Sequence, residues 1–473
     1  MASLMEAAQH YLEDPMDLPY HGRCETAFCD EFVRFMGGGY ADATRLLAGM
    51  IDAGLTDAAF SVLCDPEAAA ACHAAGIGAT MELAIGGKPA SHWIEAAGRT
   101  PLFIYSKDLI THRFADLRAA MPDRIKINYA IKANSFAPVL EHVSTLADGL
   151  DIASGGELEM VRAMGFDLTR VSFAGPGKRD SELEAAIAAG VTLNLESETE
   201  ADRALGIAAR LGKTPRMAIR VNPDFELKGS GMKMGGGAKP FGVDAERVPA
   251  LIQSIIAAGC DFRGLHIFTG SQALSADAVI DMQAKVLDCA DRLAREAGVM
   301  LPKLNMGGGF GIPYFPGDEP LDIGAVGAAL EDRFETLPET LSQADLFIEL
   351  GRYLVGEAGV YLTRIVDRKD SYGETYLVTD GGLHHQLAAS GNFGTVVRRN
   401  YPVAIASRFD AEPDEIVNVV GCLCTPLDRL ADKAHLPRAA AGDIVAVFCA
   451  GAYGASASPS AFLGQGPAIE MLV

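Results

Sequence analysis

Hydrophobic and polar side chains alternate along Arg124-Ile-Lys-Ile-Asn-Tyr-Ala-Ile-Lys-Ala-Asn134. Ile125, Ile127, Tyr129 and Ile131 fall on one face; Lys126, Asn128, Ala130 and Lys132 fall on the other, which is the period of a strand. The same reading predicts strands at Ile125–Ile131, Gly149–Ala153, Arg170–Ala174, Thr192–Leu195, Arg216–Val221, Arg263–Phe268, Lys303–Met306 and Leu346–Leu350. Alanine-rich stretches with helical spacing, such as Ser181–Ala189 and Val248–Ala257, separate them. Repeats of this length predict a (β/α)8 TIM barrel, with a doubly wound open sheet as the alternative.

The pattern changes on both flanks. Beyond residue 355, Val360–Val366, Thr375–Thr379, Ile416–Val420 and Ile444–Phe448 alternate between glycine and proline turns, predicting a C-terminal β-domain over 355–473. The barrel is assigned to 95–354, with 95–118 placed alternatively in the β-domain. Residues 1–94 form a small N-terminal α/β extension. In it, short helical pieces over 1–35 precede a helix at Thr44–Asp52, a strand at Ala58–Cys64 and a helix opened by Asp65-Pro-Glu67. Gly229–Gly237 reads as a flexible lid at the barrel mouth. The stretch through Asn392-Phe-Gly394 and Arg398–Tyr401 reads as a loop that closes the site or decorates the surface.

Composition narrows the class. Hydrophobic residues are 49% and charged residues 22%, as in a soluble globular protein. A formal charge of −22 disfavours nucleic acid and anionic membranes, and an acidic carrier protein would need a local basic patch. Nine scattered cysteines without paired metal spacing read as reduced thiols of a cytoplasmic protein. Cys72-His73 stands among alanines without partner ligands, so no metal is expected. No basic leader and no 18-residue apolar run is evident, which disfavours secretion and membrane spanning.

Strand parity then singles out polar residues where a barrel lumen would otherwise hold branched apolar ones: Lys132, Asp151, Arg220, His266 and Glu349. Either they form a structural ion-pair layer, or one polar cofactor touches them all near the strands' C-terminal ends. A lysine ending a buried strand is paired, snorkels to water, or is used chemically. Desolvation lowers a lysine's pKa and makes its amine nucleophilic, as Schiff-base chemistry requires. Gly307-Gly-Gly-Phe-Gly311 directly follows a strand and can present amide hydrogens to a phosphate, with Ser271 adding a hydroxyl; alone, the loop is equally a turn.

Taken together, six segments resemble the fold-type III pyridoxal-phosphate decarboxylases, the family of diaminopimelate and ornithine decarboxylases. They are Tyr129-Ala-Ile-Lys-Ala-Asn134, Asp151-Ile-Ala-Ser-Gly-Gly-Glu157, Gly307–Gly311, Glu349-Leu-Gly-Arg-Tyr353, Cys424 with Asp428, and Gly451-Ala-Tyr-Gly454. The likeness runs from about residue 96 to 473. Phe173–Lys178, Lys233–Gly235, His266–Gly270, Phe310–Phe315, Asp380–His385 and Leu423–Pro426 are similar to the branch that acts in butirosin biosynthesis on a glutamyl group tethered to an acyl carrier protein. His384–Gly394 also resembles exosortase-associated decarboxylases. In the extension, Gly37-Gly-Gly39 with Asp42-Ala-Thr44, Asp65–Thr80 and Gly86-Gly-Lys88 resemble part of the C-terminal region of the microcystinase C family; without that family's metal-binding half, a packing module is expected.

The main resemblance implies pyridoxal 5'-phosphate attached at Lys132, with Glu349 paired to the pyridine nitrogen. It implies that the Gly307, Gly308, Gly309, Phe310 and Gly311 loop, Ser271, Arg352 and Tyr453 hold the phosphate. Asp151, Glu157, Arg220 and Phe268 line the pocket. Cys424 protonates the carbon left by carbon dioxide, and Asp428, Arg352 and Asp380 lie toward the substrate. In this family the cysteine and aspartate arrive from the opposite subunit, which implies a homodimer with shared sites.

Three departures matter. Phe268 stands where related enzymes have a ring-stacking histidine; a phenyl ring stacks but cannot hydrogen-bond. Cys422 and Leu350 replace prolines of the family motifs. Thr425 stands where related enzymes place an acid toward a distal amine, which argues against a diamino acid unless Asp428 compensates. The expected function is decarboxylation of an amino acid, free or carrier-tethered; diaminopimelate decarboxylase and a non-catalytic pyridoxal-phosphate homeostasis protein are the alternatives.

Overall fold

The computed structural model describes residues 82–225, 232–233, 235–391 and 398–473. The helices and strand expected between residues 1 and 81 lie outside them, as do parts of the expected lid and of the loop at 392–397. Eight parallel strands close on themselves: β2 (Ile125–Ala130), β3 (Gly149–Ile152), β4 (Val171–Phe173), β5 (Thr192–Leu195), β6 (Arg216–Asn222), β7 (Asp261–Ile267), β8 (Lys303–Gly308) and β9 (Asp345–Leu350). Each pairs with the next, and β9 pairs with β2, so the open sheet is excluded.

Crossover helices cover the outside. Ser154, Ser197 and Ser275 cap three of them, each accepting a backbone N–H three residues on, so the chain turns from strand to helix within a few residues. Apolar residues of alternate parity, including Ile127, Tyr129, Leu150, Ile152, Ile219, Leu265 and Ile348, are buried toward these helices. The opposite parity gives every strand at least one buried polar residue: Asn128, Asp151, Ser172, Asn194, Arg220, His266, Asn305 and Glu349, with Thr192 and Asn222 adding a second on β5 and β6. The register sets Arg220, His266 and Asn305 in one row, and Asn128 beside Glu349.

The second sheet is built on β10 (Gly359–Ser371), with β11 (Glu374–Thr379), β12 (Val403–Ile405), β13 (Glu415–Val420), β14 (Arg429–Leu436) and β15 (Ile444–Val447) in the order β12-β15-β10-β11-β13-β14. Its other members come from far apart in sequence. β1 (Leu102–Tyr105), which precedes the barrel, pairs antiparallel with β10 and parallel with β16 (Ile469–Leu472). The described end of the extension packs here too: Leu83, Ile85, Ala90 and Ile94 share a core with Leu102, Ile104, Leu362, Ala406, Ile444 and Ala446.

Candidate active site

Lys132 is not part of a strand. β2 ends at Ala130, and Ile131–Ala133 form a 3-10 turn that leaves the Lys132 side chain exposed. This corrects the expectation of a strand running to Ile131 with its lysine turned inward by parity. The reason lies in the polar residues that follow. Asn134 Nδ2 donates to the Gly451 carbonyl (3.0 Å), while the Tyr129 hydroxyl donates to the Asn134 carbonyl (2.8 Å). The Tyr453 amide donates to the Ala133 carbonyl (2.8 Å), and Ser456 Oγ lies 3.1 and 3.2 Å from the carbonyls of Lys132 and Ala133. Carbonyls that would have continued the barrel ladder are thus taken by a segment of the β-domain, and the chain turns.

Below that turn lies an acid. Glu349 is buried, with His266 Nε2 2.9 Å from its Oε2 and Asn305 Nδ2 donating to the same oxygen at 3.3 Å. Burial pushes its carboxyl up, but the hydrogen bond and charge of His266, then the charges of Lys132 and Arg220, outweigh it and hold the group at about 2. Glu349 is therefore ionised at neutral pH. Phe268 follows β7 rather than ending it, and the Lys132 Nζ lies 5.8 Å from its ring centroid.

Opposite the acid is a cradle. Lys132, Phe268, Ser271, Gly309, Glu349, Arg352 and Tyr453 line one cavity. Gly307 and Gly309 have positive φ (69° and 80°), and a Cβ on Gly308 or Gly309 would strike the carbonyl of Glu349 or of Gly270. Only glycine lets the backbone approach so closely. Arg352 Nε is buried without a hydrogen-bond partner among the described residues. Its guanidinium lies over the rings of Tyr314 and Tyr453 (5.6 and 5.0 Å) and contacts the Tyr314 hydroxyl at 3.4 Å, with no carboxylate in ion-pairing range among the described residues. A buried cation of this kind fits an anion, and the glycine cradle beside it fits a phosphate. The residues present therefore suit pyridoxal 5'-phosphate: an accessible amine, an ionised acid and a phosphate pocket around one cavity.

Other sequence-selected residues are placed differently. Arg220 is spoken for by Glu196 (2.9 Å) and lies over the Phe241 ring (4.9 Å). Glu196 also accepts the amides of Gly175 and Gly242. Sequence reading missed Glu196, although a carboxylate one residue beyond a predicted strand was a usable signal. It also missed the buried Lys178–Glu200 pair (2.6 Å), Asn305 and Tyr314. Half-buried Glu157 accepts the Ala153 amide (2.5 Å) at a helix start. Cys424 is exposed and does not line the Lys132 cavity. Asp428 and Asp380, expected toward substrate, both bond within the β-domain and the approach to its first strand. Asp428 accepts the amides of Leu383 (2.6 Å) and Leu423 (2.8 Å), one per carboxylate oxygen. Asp380 accepts from the Thr100 and Thr363 hydroxyls and the Arg364 amide. Asp151 is buried with no well-formed hydrogen bond on either oxygen among the described residues, Ser172 and Asn128 being the polar groups beside it.

Comparison with known proteins agrees with this geometry. Residues 107–356 match the family described as "Pyridoxal-dependent decarboxylase, pyridoxal binding domain", and residues 34–100 match "MlrC C-terminus". The chain is 36% identical to the L-glutamyl-[BtrI acyl-carrier protein] decarboxylase of Niallia circulans, over 79% of this chain and 88% of that protein. It is 33% identical to a diaminopimelate decarboxylase of Neisseria meningitidis, over 80% and 90%. The crystal structure of diaminopimelate decarboxylase from Helicobacter pylori complexed with L-lysine superposes with a TM-score of 0.71 at 26% identity, covering 81% of this chain and 94% of that one. No helix among the described residues is long and apolar enough to cross a membrane. With an accessible lysine, an ionised buried acid and a glycine cradle around one cavity, the chain belongs to the pyridoxal-dependent decarboxylases and is a pyridoxal 5'-phosphate-dependent amino-acid decarboxylase.

Proposed function

We propose that this chain removes the α-carboxylate of a glutamyl-type amino acid, presented on an acyl carrier protein, rather than that of a diamino acid. The observation that carries this reading is the occupation of Asp428. Both of its oxygens are taken by backbone amides, and Thr425 follows Cys424 where an acid would face a distal ammonium. A diamino acid would leave its far charge unpaired there. The 36% identity to a decarboxylase of a carrier-bound glutamyl group supports the same substrate class.

Each residue then has a task. When bound, pyridoxal 5'-phosphate supplies the electron sink that makes loss of carbon dioxide feasible. Lys132 would hold it through its amine, which the cavity leaves accessible. Glu349 would set its negative charge toward the ring nitrogen, with His266 and Asn305 fixing the carboxylate's orientation. Gly307–Gly311, Ser271, Arg352 and Tyr453 would hold the phosphate, and Phe268 would offer its ring to the cofactor. Cys424 Sγ delivers a proton to the α-carbon. Its exposed position outside the Lys132 cavity suits a donor reaching the site of a partner subunit, so we read the working unit as a homodimer.

The test is carbon dioxide release and product mass with free glutamate, glutamyl-carrier thioester, diaminopimelate, lysine and ornithine. Preferred turnover of the glutamyl thioester is expected. The 33% identity to a diaminopimelate decarboxylase favours the rival reading, and a diaminopimelate kcat/KM above that of the thioester would establish it.

A further inference from the structure

The polar residues of the lumen are not equally served. Ser172 accepts from Asn194, Arg220 pairs with Glu196, and His266 and Asn305 converge on Glu349. Asn128 and Asp151 differ: all four of their side-chain polar atoms are buried without a well-formed hydrogen bond among the described residues, and the groups that approach Asp151 are the Ser172 hydroxyl and the Asn128 amide itself. Asp151 is 5% exposed and Asn128 0%. They sit on adjacent strands, where Ala130 pairs with Asp151 and Asn128 pairs with Glu349, so the two acids occupy neighbouring levels of one lumen.

An ionised Asp151 would be out of place there. The charged groups that act on it are Glu349 from β9 and Lys303 from β8; Arg216 from β6, Arg263 from β7 and Asp345 from β9 act on Lys303, and Lys132, Arg220 and His266 act on Glu349. None of the cations lies within ion-pairing distance of it among the described residues. Lys303, the nearest in effect, rests its Nζ on the Phe347 ring at 3.8 Å. Glu349 has taken the histidine and the asparagine. An unpaired buried carboxylate is costly, and two acids in one low-dielectric space share a single negative charge more cheaply than they carry two. Hydrogen-bond valence points the same way. A carboxylic acid offers Asn128 both an acceptor for Nδ2 and a donor for Oδ1, whereas a carboxylate satisfies only the first.

We propose that Asp151 is a positioning residue: as a neutral acid matched to the Asn128 amide, it leaves Glu349 the single negative charge in the lumen facing the cofactor's ring nitrogen. Asp151 acts through Glu349 and carries out no step itself. In support, burial and the charge of Glu349 push the Asp151 carboxyl up to about 7, against the opposing pull of Lys303, Ser172 and Asn128. The inference rests on the lumen being the cofactor pocket, so its test must tell the two apart.

Infrared difference spectra of wild type minus D151N, in water and heavy water, read the protonated carboxyl directly, and they do so without cofactor. A deuterium-sensitive carbonyl band present in wild type, absent from D151N and fading as pH rises through about 7 is expected. The visible absorbance of the holoenzyme should change over the same range in wild type and stay flat in D151N. D151A, which cannot pair with Asn128, should bind pyridoxal phosphate more weakly than D151N. A wild type whose absorbance is constant from about pH 6 to about pH 8 overturns the proposal whatever the variants do. So does a carboxyl band that survives in D151N. Failure of the protein to bind pyridoxal phosphate, with the band intact, sinks the cofactor reading instead.

Discussion

Lys132 and Glu349 line one cavity, and each makes a separate prediction. K132A should lose the visible absorbance of covalently held cofactor and nearly all turnover, by a factor on the order of 10⁴ or more, read by absorbance and carbon dioxide release. E349Q keeps the shape of the acid but not its charge, so kcat should fall on the order of 10²–10³-fold while cofactor remains bound. T425E tests the substrate argument: an acid restored beside Cys424 should raise kcat/KM for diaminopimelate on the order of tenfold or more, and leave that for the glutamyl thioester lower. At this scale side-chain parity was a good guide inside the strands and failed at Lys132, just beyond the end of β2. Asp151, Arg220, His266 and Glu349 were all read as inward, and all are buried. It gave no sign of the hydrogen bonds that Asp380 and Asp428 make. Their partners are backbone amides and hydroxyls from 5 to 280 residues away, and no local pattern announces such a bond.

Among elements, the turn after β2 is the most informative. Strand periodicity predicted a ladder through Ile131 because Ile131 continues the alternation, but alternation registers burial and not hydrogen bonding. Ile131 is indeed buried, yet its carbonyl neighbours at Lys132 and Ala133 are claimed by Tyr453 and Ser456. N134A should remove the bond to Gly451 and part of this bracing. A cost of about 1 kcal/mol in stability is expected, together with weaker cofactor retention, measurable by denaturant melts and by dialysis. The second sheet shows the same limit of local reading. β14 was not foreseen, since Arg429–Leu436 interleaves charges with its apolar positions, and β1 and β16 join through pairings that span most of the chain. The glycine loop after β8 was legible because its reason is local: a Cβ has nowhere to go.

For the whole molecule, pH and assembly are the useful levers. Burial and Glu349 raise Asp151 from 3.8 to about 7, so the folded state keeps a proton that the unfolded chain releases. Its contribution to stability is complete below the unfolded value and is lost as pH rises through about 7. Glu349 runs the other way: despite burial, His266 and the nearby cations lower it from 4.5 to about 2, so its contribution is present above the unfolded value and lost as pH falls through about 2. Melting temperatures of the cofactor-free protein should therefore decline less between about pH 4 and pH 7 in D151N than in wild type. Assembly has its own test. If Cys424 serves a partner's lysine, mixing K132A with C424A and allowing exchange should restore up to about a quarter of wild-type activity, since half of the pairs would carry one intact site. Two inactive pools that stay inactive after exchange would place the proton donor elsewhere.

The hydrogen bonds from Tyr453 and Ser456 to the lysine turn also set a rule for engineering. A barrel excised from β10–β16 would keep the amine and lose the splint that aims it. Transplanting this chemistry into another TIM scaffold thus means carrying over Gly451–Ser456 along with the reactive strand end, or supplying a substitute brace from the host.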